Sequence, residues 1–320
     1  MALSKFMICT IKNKVFECEA ENVNSALDCY VEKALGFNKK FKTNKNSWGI
    51  FNRAVSSDSV KIALINGLCK YPADTIQAII NKSFTYLDDF EDDGIIYKIS
   101  DDYTYAWVQD GTEVAGEVSI AANYRGLPVT DIGKEAFMNN TKVTKISIPE
   151  SITSIKEKAF KNCSRLLAIE MPKTIKTIEN YAFEGCELLQ GIEIPDTVIN
   201  LGVGVCKDCY SLESISLGSN VKSIEQAAFA NCFNISDIKI PFGITSIGSE
   251  AFYECRGLRN IGIPSSVNII DDGAFDFCSE LKTIYYGGSK IRWSNVTIGE
   301  HNYASEFKDA IIYYNHDNEE

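Results

Sequence analysis

From Ile132 onward the apolar positions follow neither a helical nor a simple alternating period; they return in blocks of 23 residues. Windows starting at Ile132, Ile155, Ile178, Leu201, Ile224, Ile247 and Ile270 superpose without insertion. The sixth position holds Phe137, Phe160, Phe183, Cys206, Phe229, Phe252 and Phe275, preceded by Ala everywhere except at Val205. The ninth holds Asn140, then Cys163, Cys186, Cys209, Cys232, Cys255 and Cys278, and the fifteenth is isoleucine throughout, from Ile146 to Ile284. A unit this short cannot bury its own apolar side, so neighbouring units must stack, and a solenoid is predicted.

Within a unit, segments such as Ile-Glu-Ile-Pro place two inward apolar residues around one exposed residue, the period of a short strand, and Pro or Gly then ends it. Parallel rungs about 4.8 Å apart give seven units a length of roughly 34 Å. The Ala-Phe-x-x-Cys segment reads as a turn or short helix on the other side of the core. A Val-x-x-Ile step, for example Val221 to Ile224, supplies a second short strand. Together the AF, C, L, I-x-I-P and V-x-x-I positions resemble the BspA-like leucine-rich repeats over about Asp93 to Asn315. The segment SIAANYRGLPVTDIGKEAF is similar to that family's opening unit. IYYGGSKIRWSNVTIGEHNYASEFKDAIIYY is similar to its closing unit, with Trp293 and the Tyr313–Tyr314 pair expected to cap the last core layer. The resemblance implies fold and a binding role; the family includes surface adhesins, antigens and interaction modules.

Residues 1 to 90 lack the repeat. Phe6 to Ile11 and Val15 to Ala20 read as a hairpin across Lys12-Asn13-Lys14. Val23, Ala26, Leu27, Tyr30, Val31, Ala34 and Leu35 carry helical spacing behind a cap at Asn22 or Asn24. Ser59 to Lys70 and Ala73 to Leu87 suggest a helical pair split at Pro72. The expected fold is thus a small α/β domain (ββα plus a helical pair) over 1–90 and a β-rich leucine-rich-repeat solenoid of parallel stacked short strands. A linker and N-terminal cap span 91–131, seven repeats 132–292, and a closing cap and tail 293–320.

Charge sharpens this division. Lys and Arg number 12 against 11 Asp and Glu up to Asp92, and 20 against 32 beyond it, so the net charge of −11 belongs to the solenoid. Such a surface repels phosphate backbones and disfavours nucleic acid. Eleven cysteines, an odd number, suit a reducing compartment better than a disulfide framework. The apolar run at Phe6 to Ile11 is too short for a secretory signal, and nothing approaches the ~18 apolar residues of a membrane span. The expected location is therefore cytoplasmic, with the cell surface as the alternative.

Little catalytic chemistry emerges. Cys206-Lys207-Asp208-Cys209 has CxxC spacing, but Cys209 is the ninth-position cysteine and Cys206 replaces the phenylalanine, which points to packing. The cysteine column is expected to be buried and reduced. His301, Ser305 and Glu306 lack a nucleophile elbow, and neither a phosphate loop nor a metal-spaced carboxylate cluster appears. No cofactor and no enzymatic activity are expected. Lys39, Lys40, Lys42 and Lys45, interleaved with Phe37 and Phe41, form a basic patch suited to an acidic partner, to the solenoid or to nucleic acid.

The remaining candidate is the open strand face. Its exposed row is Ser147, Glu170, Glu193, Ser216, Lys239, Gly262 and Tyr285. The row two positions earlier is Lys145, Ala168, Gly191, Ser214, Asp237, Asn260 and Thr283. Lys145, Ser147, Glu170, Glu193, Ser216, Asp237, Lys239, Asn260 and Tyr285 are the candidate partner contacts; a solvated face with no role is the alternative. The function expected is a protein-interaction module, an intracellular scaffold or inhibitor, acting through this face, the N-terminal domain or both. The alternatives are a surface adhesin or antigen contacting host proteins and, less favoured, an enzyme or nucleic-acid binder within 1–90.

Overall fold

A computed structural model of the 320-residue chain describes residues 4–9, 15–20, 94–100, 104–124, 127–304 and 306–316. The chain divides into compact units Met1–Phe90 and Glu91–Glu320. In the first, strands Ser4–Cys9 and Val15–Ala20 pair antiparallel, with Ser4 opposite Ala20 and Cys9 opposite Val15. The hairpin thus starts two residues before the apolar run that announces it. The three helical patterns after Asn22 and the Lys39, Lys40, Lys42 and Lys45 patch lie outside the described residues.

The second unit is a β-solenoid. Isoleucines of successive strands lie in register, Ile146 beside Ile169, Ile192 beside Ile215, and Ile238 beside Ile261 and then Ile284. The Val-x-x-Ile step forms the second ladder on the opposite side, where Ile132, Ile155, Ile178 and Leu201 follow one another. Neither ladder is continuous. The broad face lapses between Ala168–Glu170 and Gly191–Glu193 and between Ser214–Ser216 and Asp237–Lys239; the narrow side lapses between Asn200–Leu201 and Ser223–Ile224. Two of these interruptions fall between the repeat that carries Cys206 in place of phenylalanine and the repeat after it.

The Ala-Phe-x-x-Cys segment is a chain of turns rather than a helix, and its hydrogen bonds show why. In the first repeat Glu135, Phe137 and Asn139 donate their amides to the next coil, at Glu157, Ala159 and Lys161. Ala136, Met138 and Asn140 donate locally to the carbonyls of Gly133, Glu135 and Phe137. Alternating amides between the coil above and the local turn requires a left-handed residue at positions four and eight. These are Glu135 and Asn139, Lys158 and Asn162, and so on to Gly273 and Phe277. Asn, Asp and Gly tolerate this backbone best, and they hold position eight in five of seven repeats.

The sixth-position rings stack along the axis. Phe137, Phe160 and Phe183 lie 5.0 and 5.3 Å apart, and Phe229, Phe252 and Phe275 lie 5.6 and 5.3 Å apart, with Cys206 between the two runs. At the N-terminal end Gly111 lies beneath Phe137, where a Cβ would come within 2.1 Å of the ring. At the far end Phe307 stacks at 4.9 Å on Phe275 and extends the column. Trp293 and Tyr314 pack against the core as expected of a cap. Tyr313 does not: it is 50% exposed and stacks on Tyr285 on the strand face. The core cap is therefore Phe307 with Trp293 and Tyr286, and Tyr313 belongs to the surface.

Candidate functional site: the strand face and the cysteine column

The cysteine column illustrates what a buried polar group must satisfy. Each position-six carbonyl already accepts the amide of position nine in its own repeat, and its second lone pair faces the core. The next coil supplies a thiol: Cys163 Sγ donates to Phe137 O at 3.1 Å, Cys186 to Phe160 O at 3.3 Å, and Cys209, Cys232, Cys255 and Cys278 repeat the bond at 3.2 Å. In the first repeat Asn140 does the corresponding work, donating its side-chain amide to Gly111 O and Val114 O at 2.8 and 2.9 Å. A small apolar side chain with one weak donor satisfies the carbonyl without leaving a second polar atom unpaired.

These six cysteines and Cys206 are free and buried. Burial pushes the thiols of Cys163 and Cys255 up to about 12, and those of Cys186, Cys232 and Cys278 well above their ordinary value. For Cys206, a hydrogen bond with Cys209 is the larger cause and burial the next. Protonated buried thiols are poor nucleophiles. Among the described residues no group of three His, Cys, Asp or Glu side chains could hold a metal ion. In the closing segment His301 pairs through Nδ1 with Asp272, whose carboxylate also accepts the His301 amide at 2.8 Å; the pairing raises the imidazole and lowers the carboxyl. Ser305 lies outside the described residues.

The strand face carries the other constellation. At its N-terminal part, Glu170 receives Lys145 Nζ at 2.6 Å and Ser147 Oγ at 2.7 Å. Hydrogen bonds from Lys145 and then Ser147 hold the Glu170 carboxyl below the usual range. Exposed Glu193 lies beside exposed Ser216. Further along, Asp237 accepts the Asn260 amide at 2.6 Å and the Ser236 hydroxyl at 2.7 Å, which lowers its carboxyl. Strand register then sets Lys239 beside Gly262, Gly262 beside Tyr285, and Tyr285 beside Tyr313.

Gly262, Ile238 and the side chains around them form a recess of about 340 Å³, with Asp237, Asn260, Lys239, Tyr285 and His316 in its lining. Four of the nine sequence-derived candidates therefore meet at one place. Lys145, Ser147 and Glu170 form a separate ion-paired cluster, with Glu193 and Ser216 on the rungs between. The sequence reading assigned Tyr313 to the core cap rather than to this face and did not include His316. Tyr285 and Tyr313 are 28 residues apart, because the closing coil is longer than a repeat, and a 23-residue frame does not align them.

A stack of short parallel strands, with turns spaced by left-handed residues and an aromatic column inside, defines a leucine-rich-repeat solenoid. The BspA type leucine rich repeat region is matched in six copies, over residues 130–240 and 200–306, more than half of the chain. The chain belongs to that family. Among solved structures it is similar to a leucine-rich repeat protein of T. pallidum, at 22% identity and a TM-score of 0.47, covering 66% of this chain and 86% of that one. It is also similar to one from Bacteroides ovatus, at 25% identity and a TM-score of 0.47, covering 66% and 67%. A third is the pneumococcal vaccine antigen PcpA, at 18% identity and a TM-score of 0.48, covering 67% of each chain. No curated protein matches the chain. Repeats of this kind are typically non-catalytic interaction scaffolds, and the chain is a protein-interaction repeat module. No helix among the described residues is long and apolar enough to cross a membrane.

Proposed function

We propose that the chain is a non-enzymatic scaffold or inhibitor that binds one protein partner through the strand face of its solenoid, inside the cell. The observation carrying this reading is the concentration of varied polar and ionic side chains on a regularly spaced strand face. Glu170, Glu193, Asp237, Lys239, Asn260 and Tyr285 differ from rung to rung while the residues beneath them do not. Repeated backbone with non-repeated surface is the form a recognition face takes. The excess of acidic residues beyond Asp92 favours a partner with a basic surface through electrostatic complementarity.

The reading is tested by capture from source-cell lysate with the full chain, its E170K/E193K/D237K variant, and an E135K/E250K control altered on the exposed turn edge. The expected result is a specific protein retained by the parent and the control and lost by the triple variant. Equal retention by all three would refute the face as the binding surface.

A further inference from the structure

The two ladders begin differently at the N-terminal end of the solenoid. The narrow one is closed there by an antiparallel strand, Ile96–Ile99, laid on Ala106–Asp110. The broad face begins with strand Gly116–Ser119, which pairs parallel with Val143–Ser147 on one side. Among the described residues no strand pairs with its other side. Gly116 and Ile120 donate their amides towards the paired side, to Lys142 O and Ser147 O at 3.0 Å each. Backbone groups alternate in direction along a strand, so the amides and carbonyls of Glu117 and Ser119 point to the unpaired side.

The surroundings leave that edge accessible. A Cβ at Gly116 would meet no atom within 4 Å, and Glu117 and Ser119 are exposed. A recess of about 410 Å³ lies beside the strand, with Gly94, Glu113, Val114, Glu117, Val118 and Ser119 in its lining. The entering chain reaches the recess at Gly94, where a Cβ would come within 3.3 Å of Val114 Cγ1.

The side chains of the edge state what an added strand must carry. Strand register sets Glu117 beside Lys145, Val118 beside Ile146 and Ser119 beside Ser147. Lys145 turns its ammonium to Glu170 at 2.6 Å, and among the described residues the Glu117 carboxylate accepts no hydrogen bond or ion pair. Glu113, in the same recess, binds Lys142 at 2.9 Å. A charge on an open edge discourages pairing with most strands and admits one of opposite sign, since cross-strand neighbours interact directly. Val118 begins the buried column that Ile146 and Ile169 continue, so an apolar residue set beside it extends the core by one layer.

We infer that the open edge of Gly116–Ser119 takes an extended segment of the protein partner as one further parallel rung. That segment carries Lys or Arg beside Glu117 and a β-branched apolar residue beside Val118. Main-chain hydrogen bonds supply affinity in strand addition of this kind, and alternate side chains supply specificity. The inference rests on the proposed protein-binding role of the broad face, with which this edge is continuous, and adds the chemistry of the segment bound.

The test uses the isotopically labelled full chain and three peptides. The first is Ac-Thr-Lys-Val-Thr-Val-NH2, the second has Glu for Lys, and the third is the first with its central valine N-methylated. The first is expected to shift the Glu117 and Ser119 amide resonances and to slow their hydrogen exchange. N-methylation removes the donor that faces Glu117 O and is expected to weaken binding by roughly tenfold. The Glu peptide is expected to bind roughly threefold more weakly than the Lys peptide, and E117K to reverse that preference. Should E117K fail to fold, E117Q is expected to abolish the preference. Without peptide, the Glu117 and Ser119 amides are expected to exchange faster than that of Val118; equal protection would show the edge already paired and overturn the inference. Equal binding of the N-methylated peptide, indifference to the Lys-to-Glu change, or no shift at millimolar peptide each overturn it as well. If no peptide acts at Glu117 while the triple charge variant still loses the partner, the edge fails and the binding face stands. Lys-peptide binding at Glu117 with partner capture indifferent to the triple variant fails the face reading instead.

Discussion

The turn edge and the strand face of this solenoid are built by the same 23-residue repeat under opposite constraints. Along the turn edge the amides alternate between the next coil and the local turn, and the buried residues at the fifth, sixth and ninth positions hardly vary. Along the face the strands recur at the same spacing with two lapses in their ladder, and the side chains at the two outward positions run through Lys, Ser, Ala, Glu, Gly, Asp, Asn, Thr and Tyr. The difference shows where stability resides and where specificity is free to vary: burial fixes one edge, and solvent leaves the other open.

The sharpest way to separate the two is alkaline pH, because the turn edge carries a column of buried thiols and the strand face does not. Cys163 and Cys255 are raised to about 12, and Cys186, Cys206, Cys232 and Cys278 are raised as well. A thiol whose folded value lies above its unfolded one near ~8.5 contributes full stability below that pH and loses it as pH rises towards the folded value. Each costs roughly 1 kcal/mol per pH unit in that window, so six together remove several kcal/mol between about pH 8.5 and 9.5. Denaturant melts at these pH values are expected to show a steep fall in unfolding free energy. A flat profile to about pH 9.5 would mean the thiols ionise as readily in the fold as outside it.

A second contrast is steric. Phe252 lies between Phe229 and Phe275 at 5.6 and 5.3 Å and is fully buried. Truncation by F252A removes both stacks and leaves a cavity, an expected loss of about 3–5 kcal/mol by chemical denaturation. Ser216→Ala on the exposed face is expected to change stability by no more than about 0.5 kcal/mol. Comparable losses from both would erase the distinction between the two edges.

The same chemical change should even reverse sign between them. Ala227 occupies a left-handed turn position with φ of 52°, so A227G relieves a steric cost of about 1–2 kcal/mol, partly offset by the freedom glycine gains when unfolded. A net gain of about 0.5 kcal/mol is expected. Ala168 lies in an exposed strand, where A168G offers no such relief and is expected to cost about 0.5–1 kcal/mol. Thermal melts of the two variants check the sign directly.

What could be read from sequence follows the same division. Ile146 to Ile284, the phenylalanine column and the cysteine column were legible because burial permits few substitutes and seven copies repeat the constraint. The turn was legible as a turn but not in its mechanism; Asn139, Asn162 and Asn231 at position eight were the available sign of left-handed backbone. Tyr313 was assigned to the core cap and Phe307 was not singled out, because the closing coil inserts Lys290–Trp293 and Glu300–Ala304 and shifts the period. The recess was invisible for a different reason. Gly262 in one row and Asp237 with Asn260 in the other are unremarkable singly, and only the rung order gathers them with Tyr285 and His316 around one recess.

The smallest stability effect, and the most informative for function, concerns Glu170. Lys145 and Ser147 hold its carboxylate, lowering its ionisation range and raising that of Lys145, yet the pair faces solvent and is screened by salt. Because the folded carboxyl is depressed, its contribution is present above the ordinary carboxylate range and lost as pH falls through the folded value. E170Q keeps the shape and the hydroxyl contact while removing the charge, so its denaturation curve is expected to overlay that of the parent. Partner capture at low salt is expected to weaken and to lose part of its salt dependence, since a face that discriminates by charge acts on association rather than on folding. A variant that is destabilised but binds normally would place Glu170 with the turn edge, as part of the scaffold.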